Sequence, residues 1–254
     1  MIPVLFLSHG APSMIIEDEP AKAPLLELAA TFPTPKAILC ISPHWQTAGL
    51  SLSSSLRPET IHDFYGFPKA LYRLQYPVNG DPQLAEDVAE HLLSQGIHAS
   101  RVDRGLDHGA WTPLMLLYPE AEIPVLGMSL PAHQTVEQLF NLGETLSYLR
   151  KQGVLILTSG SGTHNLREIV AEGAGTACWA REFQHWLIKN VCDYAMDKLQ
   201  SWESHAPQAR FAHPTTEHLD PLWIAMGAAG ETTPEVIYQG FSHGNLGLVH
   251  FRFN

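Results

Sequence analysis

Cysteine is scarce in this chain: Cys40, Cys178 and Cys192 are the only three in 254 residues. Their wide spacing excludes a disulfide framework and a CxxC metal knuckle. Each reads as a small core residue of a reduced, cytoplasmic protein. Basic residues are also few, with 15 Lys plus Arg against 26 Asp plus Glu, and they form no cluster. A net charge of −11 without a basic patch argues against nucleic acid or an anionic membrane surface as a partner. No apolar run reaches the roughly 18 residues that a membrane helix needs. Met1–Leu7 is apolar but has no basic region before it and stops at Ser8-His9-Gly10. It reads as a buried first strand rather than a signal peptide. Internal repeats, low-complexity tracts and an interdomain linker are missing too. What is left is one soluble domain, residues 1–254, with 45% hydrophobic residues to build its core.

Short apolar runs bounded by Gly, Pro or Ser predict strands at 3–7, 37–41, 50–53, 124–129, 154–158 and 247–251. Helical spacing lies between several of them. Leu84, Val88 and Leu92 mark a helix over 81–95 that stops at Gly96. Leu139, Leu142, Leu146 and Leu149 mark another over 135–151, and 178–199 reads as a longer one. A further helix is predicted over 216–228, with Thr215 or Thr216 as its N-cap and Glu217 and His218 in its first turn. The alternation predicts a single-domain α/β fold: a mostly parallel or mixed central sheet with helices on both faces.

Histidine is what the chain has in excess. Fourteen are present, and several stand in Gly-, Ser- or Pro-bounded phrases: Ser8-His9-Gly10, Ser42-Pro43-His44-Trp45, Asp107-His108-Gly109, Gly162-Thr163-His164-Asn165 and His213-Pro214-Thr215-Thr216-Glu217-His218. Imidazole is the commonest protein ligand for transition metals and the usual proton shuttle near neutral pH. His9, His44 and His164 each follow a predicted strand, and ligands of open α/β sheets bind outside the carboxyl ends of strands. Three familiar motifs fail. The glycine-rich turn Ser159-Gly160-Ser161-Gly162 lacks the lysine of a phosphate loop, and Ser159 stands where a nucleophile elbow needs glycine. No H-E-x-x-H occurs, because His213 and His218 are five apart. Asp107 and His108 are adjacent and point apart, so they make no dyad. His62 and His243 sit in aromatic- or glycine-rich loops and stay open; the remaining histidines carry no assigned role.

Six phrases in this order resemble class III extradiol ring-cleavage dioxygenases, in the 4,5-DOPA dioxygenase branch of the LigB-type superfamily. They are Ser-His-Gly, Ser-Pro-His-Trp, Ile-His-Asp-Phe-Tyr-Gly-Phe-Pro, Leu-Asp-His-Gly-Ala-Trp, Ser-Gly-x-x-x-His-Asn-Leu-Arg and Pro-Thr-x-Glu-His-x-x-Pro-Leu, spanning His9 to Leu222. The resemblance implies a mononuclear non-haem iron(II) that holds a catechol and dioxygen together. It implies His9, His44 and His218 as ligands, with Glu217 beside His218 as the rival third ligand. It implies His164 as acid/base and His108 as a pocket contact with a catalytic part. His62, Phe64 and Tyr65 are the expected substrate contacts, with Phe67 completing a planar wall. The expected partners are a small-molecule catechol and O2, and the product is a muconic semialdehyde. Zinc would suit three histidines as well. A zinc hydrolase with His164 as base would need no O2, and a non-catalytic scaffold would have lost a ligand.

Overall fold

The central strands form where both faces of a β-run are apolar. In the computed structural model, which describes residues 1–171 and 173–254, eight strands among the described residues share one mixed sheet. They are β1 (Val4–Ser8), β2 (Ala37–Thr47), β3 (Leu50–Ser53), β4 (Ala99–Val102), β5 (Val125–Pro131), β6 (Val154–Gly160), β7 (Glu235–Ser242) and β8 (Leu246–Phe253). Their spatial order is β4-β3-β5-β2-β6-β1-β8-β7. The four central strands β5, β2, β6 and β1 are parallel, and β8 and β7 close one edge antiparallel.

Alternate residues of each central strand enter different cores, as the two-residue period of a strand requires. Val4, Phe6, Leu39, Ile41 and Ile156 join one cluster, while Leu5, Leu7, Ile38, Cys40, Leu155 and Leu157 join the other. Helices Pro82–Ser94, Val136–Leu146, Cys178–Cys192 and Asp220–Ala229 contribute to the first, and Lys22–Leu28 and His108–Leu117 to the second. Helices therefore cover both faces, as expected. The helices Val136–Leu146 and Asp220–Ala229 cross at glycine. A Cβ on Gly227 would lie 1.9 Å from the Phe140 carbonyl oxygen, so only glycine permits that approach.

Three helices differ from the sequence expectation. The run 178–199 breaks after Cys192, where Tyr194 takes a left-handed φ of 50° and Ala195 N–H returns to the Asn190 carbonyl. The run 135–151 starts with a capping box between Thr135 and Gln138, but it divides into Val136–Leu146 and Leu149–Gln152 before Gly153 ends it. The third starts later than expected, at Asp220, with Pro221 in its first turn. Proline favours the first turn of a helix, so the helix begins at Asp220, and Glu217 and His218 lie ahead of it rather than within it. The edge strands β4 and β7 were not expected; their half-exposed or charged residues give no apolar run.

Candidate active site

β2, β6 and β1 are neighbours and run parallel, so their carboxyl ends deliver His44, His164 and His9 to one edge of the sheet. His9 directly follows β1, with its N–H on the Gly160 carbonyl at 3.2 Å. His44 sits in a bulge of β2, where the register with β5 shifts between Ser42 and Gln46 and Pro43 cannot join the ladder. His218 is drawn to the end of β6 by Ser161 N–H, which donates to the His218 carbonyl at 2.8 Å. Gly160 has no side chain, and a Cβ there would lie 2.4 Å from that carbonyl oxygen. Ser161 is no nucleophile: its hydroxyl is engaged with the Thr163 and Gly247 carbonyls.

The rings of His9, His44 and His218 form a nearly equilateral triangle, with centroids 5.1, 5.1 and 5.4 Å apart. In each ring Nδ1 faces an oxygen on the outside. His9 Nδ1 meets Ser159 Oγ at 2.8 Å, His44 Nδ1 lies 3.5 Å from Asp63 Oδ2, and His218 Nδ1 is 3.0 Å from Glu217 Oε1. The Glu217 carboxylate favours the Nδ1–H tautomer of His218, Asp63 favours the same in His44, and the Ser159 hydroxyl accommodates it in His9, so that all three Nε2 lone pairs can be turned to one metal. His9 Nε2 and His44 Nε2 stand 3.2 Å apart, and His218 Nε2 is buried without a partner. Lone pairs so arranged repel one another unless a cation lies among them. Two metal–imidazole bonds of about 2.1 Å at an angle of 90–110° span roughly 3.0–3.4 Å, so the donors fit a divalent transition metal.

Electrostatics point the same way. Burial first, and neighbouring imidazoles second, push His9 and His218 well below the ordinary histidine range. Burial lowers His44 to about 3, and His108 adds to the effect. All three rings stay neutral, the form that binds metal.

The same architecture recurs across known proteins. The family model described as the catalytic LigB subunit of aromatic ring-opening dioxygenase matches residues 3–254. The chain belongs to this family. Membership in the LigB family makes it an aromatic ring-cleavage dioxygenase by descent. A protein named 4,5-DOPA dioxygenase extradiol from Beta vulgaris is 39% identical over 254 residues, covering 98% of this chain and 95% of that one. One of the same name from Escherichia coli K12 is 33% identical over 98% of this chain and 93% of that one. The crystal structure of an uncharacterized protein from Escherichia coli K12 superposes with a TM-score of 0.84 at 28% identity, covering the whole of both chains.

Around the triangle this LigB-family chain brings further groups. His164 stacks flat on His218, centroids 3.4 Å apart and planes within 9°. Burial lowers its pKa to about 4. His108 lies against His44 at 4.0 Å, and its backbone N–H and Nδ1 both bond Asp63 Oδ1 at 2.9 Å. Burial alone would raise the Asp63 carboxyl, but its hydrogen bonds from His108 hold it down at about 2. Asp107, beside His108 in sequence, turns away to accept from Ser42 Oγ. Ser42 Oγ in turn accepts His44 N–H at 3.2 Å.

His9, His44, Asp63, His108 and His164 line a cavity of about 410 Å³, whose outer wall includes Pro12, Phe64, Phe67, Leu166, Ile169 and Leu246. Tyr65 lines its mouth, 91% exposed. His62 does not line it. Its Nε2 bonds the Leu74 carbonyl, and its ring packs among Phe64, Tyr72 and Trp111 behind the wall. His213 is likewise structural, buried with Nε2 on the Gly162 carbonyl. Sequence reasoning missed Asp63 and Ser159 as supports of the ring triangle, while His243, left open there, lines the cavity. Asp63 stands inside the aromatic phrase at 61–68, which was the available signal.

Proposed function

We propose that this LigB-family enzyme is an extradiol dioxygenase that opens the ring of a DOPA-like catechol at a mononuclear iron(II) held by His9, His44 and His218. The observation that carries the proposal is the convergence of three neutral imidazoles, each with an oxygen behind its Nδ1, where His9 and His44 line a cavity with aromatic walls and His218 stands beside them under the His164 ring. His218 rather than Glu217 is the third ligand in this reading, because the carboxylate is bonded to the outer nitrogen of His218. The names of the relatives support the substrate class, and the family supports a non-haem metal with O2.

Iron(II), when bound, supplies the Lewis acid and redox centre at which the two catechol oxygens and O2 meet. The residues do the rest. His108 donates Nδ1–H to Asp63, so its Nε2 is a lone-pair acceptor toward the cavity for one catechol hydroxyl. His164 is neutral at pH 7 and accepts the other proton; an anionic catecholate beside it lowers the cost of charging that buried ring. It returns the proton later in the cycle. Phe64 and Phe67 hold the ring plane and keep water away. In the balance, one ring C–C bond beside the diol breaks and both atoms of O2 enter the product, a muconic semialdehyde. No other oxidant is consumed.

The working compartment in this reading is the cytoplasm, where the three free cysteines stay reduced. No helix among the described residues is long and apolar enough to cross a membrane. The test is turnover of a catechol by iron(II)-loaded protein in air and under argon. A yellow ring-opened product in air alone is expected; turnover under argon would remove the proposal and favour hydrolysis.

A further inference from the structure

We propose that the cavity selects catechols by the charge of their side chain, accepting cationic or uncharged tails and rejecting those whose only charge is a carboxylate. The inference rests on the ring-opening reading and refines it. With the diol at the histidine floor, the tail runs along the outer wall toward the mouth. Among the described residues, no lysine or arginine lines that cavity. Arg167 and Lys69, neighbours in sequence of lining residues, are exposed and do not line it. A carboxylate drawn against Leu166, Ile169 and Leu246 would lose water and gain no charged partner, which is costly.

The mouth itself suits a cation. His243 lines both the cavity and an adjoining hollow made by Glu17, Asp18, Glu19 and Pro20. That acidic segment is tied to the end of β7, because Ser242 Oγ donates to Glu19 Oε1 at 2.7 Å. Lys22, the nearest lysine in sequence, is occupied with the Ile15 carbonyl at 2.8 Å. Independently of the acids, Tyr65 presents an exposed ring at the same cavity, a face on which an ammonium group can rest. An aromatic face at the mouth of an apolar throat, with an acidic hollow adjoining it at His243, is chemistry suited to an ammonium group.

The experiment compares kcat/KM of the iron(II)-loaded enzyme for three catechols of matched length, with aminoethyl, propyl and carboxyethyl tails. At low salt the aminoethyl catechol is expected to exceed the carboxyethyl one by about tenfold or more, with propyl between them. The gap should narrow as salt screens the rim. In the double variant Glu17→Gln, Asp18→Asn the amine-to-acid ratio should fall by about threefold or more. An enzyme that opens the propyl catechol but prefers neither charge, or prefers the acid, overturns the proposal, as does an unchanged ratio in the double variant. Failure to open any of the three overturns the ring-opening reading instead.

Discussion

Glu217→Gln separates a bracing carboxylate from a metal ligand. Glu217 Oε1 lies 3.0 Å from His218 Nδ1, with its side chain 22% exposed, and it also accepts from Thr215 Oγ1 at 2.9 Å. Glutamine keeps the size and an acceptor oxygen but removes the charge that makes the imidazole more basic. Removing such an outer partner costs about 10–100-fold in metal affinity, or roughly 1.4–2.8 kcal/mol. The lower end is expected here, because a neutral acceptor remains. His218→Ala deletes a donor outright, and its loss should be about tenfold larger still or more. Metal affinity is measured for wild type and both variants by competition with a chelating dye, with circular dichroism to show that each is folded. If Glu217→Gln loses metal as completely as His218→Ala, or if His218→Ala retains it, the assignment of His218 as ligand is refuted.

His164→Ala should keep its metal and lose about 10²–10⁴-fold in kcat, since the ring stacks on a ligand without belonging to the triangle; single-turnover rates check this, and an unchanged rate removes its proton role. Gly227→Ala drives a methyl into the Phe140 carbonyl and should destabilise the fold by about 3 kcal/mol or more, read as a lower urea midpoint. Acid should weaken the metal-free protein. Burial pushes His213 and His250 down to about 4, against roughly 6.5 in the unfolded chain. Between those values the unfolded state binds protons that the folded state does not, so stability falls as pH drops through that window. Each of the two should cost about 1.4 kcal/mol on going from pH 7.5 to 5.5, and a flat urea midpoint over that range would contradict the neutral assignment.

The central strands and the histidines at their ends were legible because each signal is local. A Val-, Ile- and Leu-rich run buried on both faces announces itself, and parallel neighbours bring their carboxyl ends together without further information. What was illegible depends on tertiary pairing. β4, with the sequence Ala-Ser-Arg-Val, is an edge strand held by its partner β3, so it carries no apolar pattern of its own. Asp63 acts on His108 across 45 residues and on His44 from a loop outside β2, and only folding reveals it. His62 shows the reverse: its phrase suggested substrate, yet its ring packs behind the wall and its Nε2 bonds a carbonyl. The start of the helix at Asp220 was readable from Pro221, and that detail decides the surroundings of His218.

The central claim is that three braced imidazoles hold a metal at which a catechol and O2 combine. Oxygen uptake by the iron(II)-loaded enzyme, run with ¹⁸O-labelled O2 and mass analysis of the product, tests it most directly. The account predicts one O2 consumed per catechol, both labelled atoms in the ring-opened product before exchange with water, and no hydrogen peroxide released. Ring opening without oxygen uptake, or uptake that ends in peroxide and an intact ring, would contradict it.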